Sequence, residues 1–142
     1  MDSELALIEK VVARIHKKLI KFQKVDKRWT KSLRGACITA SFLLHKALEK
    51  KGIRSVMVHS SHRSNKFGNH VWLETELYIV DITYSQFETE ESIIILNKKA
   101  QNTRKYYKNF RNIIPMHSVD LFKWPASQDP IKCVERMKKA KI

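Results

Sequence analysis

The chain has 142 residues, of which 43% are apolar and only six are Gly or Pro, enough for one domain with a real core and against disorder over most of its length. Its net charge is +14, and no apolar run approaches the roughly 20 residues of a membrane span. Two cysteines, Cys37 and Cys133, are too few for a disulfide framework.

The charge is uneven: +6 over residues 1–35, −1 over 36–96 and +9 over 97–142. A near-neutral centre with basic flanks attracts acidic proteins, nucleic acid or anionic surfaces. No recognised nucleic-acid module is present. The first 25 residues lack a continuous apolar stretch and a small-residue cleavage site, and they carry Asp2, Glu4 and Glu9. They therefore read as neither a secretory signal nor a transit peptide, and the expected location is cytoplasmic. Delivery as an effector or toxin is compatible with the length and charge.

In chain order, residues 3–23 predict a helix, with Leu5, Ile8, Val12, Ile15, Leu19 and Phe22 at helical spacing. Asp2 or Ser3 caps it, and Lys17, Lys18, Lys21 and Lys24 suit its last turns. A basic connector with Trp29 follows. Residues 36–51 predict a second helix burying Ala36, Ala40, Leu43, Leu44, Ala47 and Leu48, with Gly52 as its stop. Strands are expected over 53–59, 69–74, 77–82 and 93–96, with a polar loop over 60–68. Residues 98–111 read as a basic helix carrying Tyr106, Tyr107 and Phe110, and 112–128, with Pro115 and Pro125, as irregular. Asp129-Pro130 starts a last helix expected to bury Ile131, Val134 and Met137.

Three residues stand out. Cys37 lies in the first turn of its helix, where unpaired N–H groups and the helix dipole favour the thiolate, the nucleophilic form. Alone, such a cysteine is more often a small buried apolar residue. His70 and Asp81 lie on the two arms of an expected hairpin. Centred between Thr75 and Glu76, that hairpin sets His70 opposite Asp81, Trp72 opposite Ile79 and Glu74 opposite Leu77. Directly opposed Cβ atoms are about 4.5–5.5 Å apart, so the carboxylate can hold one imidazole nitrogen and aim the other at a thiol. Thr-Glu is a poor two-residue turn, because neither residue favours positive φ, so a four-residue loop over Glu74–Leu77 is expected.

The runs Gly35-Ala36-Cys37, Asn69-His70-Val71-Trp72-Leu73-Glu74, Ile79-Val80-Asp81-Ile82-Thr83 and Gln86-Phe87 resemble the transglutaminase-like branch of papain-fold cysteine enzymes, over residues 33–87. The resemblance implies an α+β fold, with the nucleophile helix packed on an antiparallel sheet. The whole chain would be one domain, its core at 33–96 and basic helical flanks at 1–32 and 97–142. It further implies Cys37 as nucleophile, His70 as general base and then acid, and Asp81 as orienter of an amide hydrolase, a cysteine peptidase or glutamine deamidase. Transglutaminase-type acyl transfer is the related alternative. The oxyanion would rest on the Cys37 backbone N–H and one further donor, with Trp29 and Gln23 as candidates. Gly35, Asn69 and Trp72 are candidates for the substrate cleft. The residues flanking the cysteine, Ala36 and Ile38, depart from the polar or aromatic ones frequent in the family.

No cofactor is implied, and the expected partner is a protein or peptide, acidic where the basic flanks engage it. Two readings compete. His59, His62 and His70 could supply three metal ligands, but no Cys-x-x-Cys or His-Glu-x-x-His supports them. Alternatively the fold is a non-catalytic binding module, with Lys98–Arg111 joining phosphate contacts to base stacking.

Overall fold

The computed structural model describes residues 3–26, 37–60, 70–82, 93–100, 107, 111–114 and 130–142. It is α+β, with three helices and a five-stranded sheet among those residues.

Helix α1, Ser3–Val25, follows from its periodicity. Ile8, Val11, Val12, Ile15, Leu19 and Phe22 are buried, while Lys10, Arg14, Lys17, Lys18, Lys21 and Lys24 are exposed. Leu5, expected in the stripe, is half-buried, and Val11 completes it. Helix α2, Cys37–Lys50, is buried around more of its circumference, since it contacts α1 as well as the sheet. Its end is built as expected from Gly52. That residue takes φ 79°, Gly52 N–H donates to Glu49 O at 3.0 Å, and Ile53 N–H donates to Leu48 O at 3.0 Å. Such paired bonds satisfy carbonyls that a helix end otherwise leaves open.

The strands are β1 (Ser55–Ser60), β2 (His70–Thr75), β3 (Tyr78–Asp81), β4 (Ile94–Asn97) and β5 (Arg111–Ile114). Their order is β4-β3-β2-β1-β5, and every neighbouring pair is antiparallel. Central strand β2 is buried at all six positions, because both sheet faces are covered. Val71 and Leu73 join Met57 and Val80 in the main core with α1 and α2. Trp72 alternates to the other side, where it packs with Val58, Ile79, Ile94 and Tyr107. Helix α3, Pro130–Lys139, packs on α2, and Arg136 Nε meets Asp26 Oδ2 at 2.8 Å. No helix among the described residues is long and apolar enough to cross a membrane.

Three expectations are corrected here. Residues 111–114 form a strand, where the end of a helix at 111 and irregular chain from 112 were expected, because β1 offers them an edge to pair with. Lys98–Ala100 form a turn rather than the start of a helix. Most of the rest of that expected helix, with Tyr106 and Phe110, lies outside the described residues. Helix α3 buries Pro130, Cys133 and Met137, leaving Ile131 40% exposed. The buried positions are thus 130, 133 and 137, a face rotated from the one that apolar character suggests.

Candidate active site

The three residues singled out in the sequence meet. Cys37 is the first residue of α2, His70 the first of β2 and Asp81 the last of β3. His70 Nε2 lies 2.6 Å from Asp81 Oδ2, and the Cys37 side chain is close enough to the imidazole to raise its affinity for a proton. With Nε2 on the carboxylate, Nδ1 is the ring's second hydrogen-bonding nitrogen. All three are buried, with Cys37 6%, His70 0% and Asp81 1% exposed.

Burial by itself pushes the His70 pKa down. The Asp81 charge, its hydrogen bond and then the Cys37 side chain outweigh that and bring it up to about 9. The imidazole is therefore a cation at neutral pH, between a carboxylate and a sulfur. Removing two charges from water is costly unless geometry and hydrogen bonds compensate, and here both are present.

The route to this contact differs from the expected one. Leu73 pairs with Val80 and Glu74 with Ile79, so the turn holds two residues, Glu76 and Leu77. Asp81 then lies level with Trp72 and diagonal to His70. The register is displaced by two residues, which preserves the face of every side chain. Diagonal neighbours remain within reach of long side chains, and the 2.6 Å bond spans this one. The tight turn is held without a glycine. Tyr78 N–H donates to Thr75 Oγ1 at 3.0 Å, and Lys98 N–H donates to Leu77 O at 2.8 Å.

A second tier supports the first. Tyr107 OH donates to Asp81 Oδ2 at 2.9 Å. Its ring stands edge-on to Trp72, with centroids 5.0 Å apart at 76°. Trp72 is fully buried, 5.9 Å from the His70 ring, so in this conformation it backs the histidine rather than walling an open cleft. Its indole N–H donates to Glu74 Oε2 at 2.8 Å, and Lys98 Nζ lies 3.1 Å from Glu74 Oε1. The sequence reading missed Tyr107, Glu74 and Lys98 as site residues. Strand alternation alone sets Glu74 on the face of His70 and Trp72, which could have marked it. Nothing local marks Tyr107, which lies 26 residues beyond Asp81 in a basic tract.

Of the other candidates, Gln23 is half-buried late in α1, while Trp29, Gly35 and Asn69 lie outside the described residues. So does His62, one of the three histidines considered for a metal. His59 has its pKa lowered, first by burial and then by the His70 charge. Among the described residues no group of three His, Cys, Asp or Glu side chains could hold a metal ion. A cavity of about 650 Å³ lies at the far end of α2, lined by His45, Gly52, Ser55 and Glu74 among others, with no triad residue in its wall.

Comparison of the chain with protein-family models, with curated proteins and with solved structures finds no match.

Proposed function

We propose that this chain is a thiol-dependent amide hydrolase of the papain-like, transglutaminase-like type, acting on a protein or peptide. The observation that carries the proposal is the buried contact of Cys37, His70 and Asp81 at the ends of three separate elements. An imidazolium held by a carboxylate favours a thiolate at its other nitrogen. The Cys37 thiolate attacks the amide carbonyl carbon, and the carbonyl oxygen takes the electron pair. The Cys37 backbone N–H, in the first turn of α2 where N–H groups have no acceptor within the helix, suits that oxyanion. His70 then gives its proton to the departing nitrogen, leaving a thioester and a neutral imidazole. Water attacks the thioester carbon, His70 takes the water proton, and collapse releases the carboxylic acid and the thiolate. Hydrolysis is preferred over acyl transfer because water needs no second binding site.

The test is the pH dependence of iodoacetamide alkylation at Cys37. Cys133, buried and in contact with Arg136, is the internal control. Cys37 is expected to be alkylated faster in the wild type than in His70→Ala, most of all below neutral pH, where the His70 imidazolium is complete. Inert Cys37, or a profile unchanged by His70→Ala, sinks the catalytic reading and leaves the binding module in front.

A further inference from the structure

We propose that Tyr107 is a positioning residue of this triad: its hydroxyl shares the one Asp81 oxygen that holds His70, and thereby limits how firmly Asp81 retains the imidazolium proton. The inference rests on the thiol-hydrolase reading and deepens it. Two donors converge on Asp81 Oδ2, His70 Nε2 at 2.6 Å and Tyr107 OH at 2.9 Å. A carboxylate oxygen offers about two lone pairs, so both are taken.

Tyr107 is itself held in place. Its ring is fully buried edge-on to Trp72, whose indole is bonded to Glu74, which Lys98 pairs. This chain of contacts runs through side chains 0–1% exposed until it reaches Lys98. Such a path places the hydroxyl without the mobility of a surface tyrosine. The charged and titratable groups around His70 among the described residues include Asp81 from β3, Cys37 from α2, His59 from β1 and Tyr107 itself. Of these, Tyr107 acts on His70 through Asp81, by drawing on the charge of the shared oxygen.

The chemical consequence follows from what His70 must do. Amide cleavage needs the imidazolium to release its proton to the departing nitrogen. An undivided carboxylate stabilises the imidazolium more strongly and opposes that release. A phenol donating to the same oxygen disperses part of the negative charge and eases it.

The experiment follows the His70 ring nitrogens by NMR against pH in the full-length, isotope-labelled chain. Tyr107→Phe keeps the ring against Trp72 and removes only the donor. The imidazolium is expected to persist upward by about half a pH unit in that variant. Replacing Tyr107 with 3-fluorotyrosine, a stronger donor with the same ring, is expected to move the titration down. Opposite movements support the inference. His70 titrating at its wild-type position in both proteins overturns it. Should Tyr107→Phe fail to fold, the fluorinated protein decides alone, and an unmoved titration there is equally fatal. This outcome is separable from the thiol reading, whose failure is an alkylation profile indifferent to His70→Ala.

Discussion

His70 makes the stability of this protein depend on pH. Its folded pKa, about 9, lies above the ordinary histidine value of 6.5. A raised pKa means that the folded state binds the proton more tightly than the unfolded chain. The resulting stabilisation is complete below pH 6.5 and is lost as pH rises through about 9. A difference of this size corresponds to about 3 kcal/mol. Asp81→Asn removes the main cause. It is expected to cost about 3 kcal/mol near pH 6 and clearly less above about pH 10, read from urea unfolding at the two conditions. An equal loss at both would show that Asp81 stabilises by hydrogen bonding alone. At this scale the order Cys37, His70, Asp81 was legible, because each residue type carries its chemistry and sits at an element end. Tyr107 was not. Its role comes from a contact across 26 residues that no local pattern encodes.

At the scale of elements, periodicity and end signals did most of the work. Helix α1 and the end of α2 follow from apolar spacing and from Gly52. That glycine gives a direct check, since a Cβ added there meets no atom within 4 Å, while its φ is 79°. Gly52→Ala is therefore expected to cost about 1 kcal/mol, from backbone strain alone, in equilibrium unfolding. Leu48, fully buried in the same helix, is a packing control. Leu48→Ala is expected to cost about 2–5 kcal/mol with an unchanged site. The hairpin shows the limit of turn rules. Thr75-Glu76 is a poor turn, but the chain turns one residue later, over Glu76 and Leu77, where side-chain and neighbouring-strand bonds hold it. A displacement by two residues left His70 and Asp81 on one face, so an incorrect register still led to the correct contact. Strand β5 escaped notice because four residues before a proline form a strand only when an edge awaits them.

Over the whole molecule, part of the net charge of +14 takes a definite place on α1, where Lys10, Arg14, Lys17, Lys18, Lys21 and Lys24 face solvent. If an acidic protein is the substrate, this face steers it. Reversing Lys10, Arg14, Lys17 and Lys21 to Glu is expected to slow association with such a substrate at least about tenfold at low salt, with little difference left near 1 M. Stopped-flow measurement across ionic strength decides it, and rates indifferent to the reversal would remove α1 from recognition. Composition, apolar period and the order of three reactive residues are properties of the chain alone. From them came the main helices, four of the strands and the candidate triad, because local propensity and side-chain chemistry act within a few residues, while the α+β class was what the family resemblance implied. The tertiary structure alone decided the strand register, the fifth strand, the buried face of α3 and the tier formed by Tyr107, Trp72, Glu74 and Lys98. Each of these depends on which surfaces are left to be covered once the other elements have packed, and that is settled between distant segments rather than within any one of them.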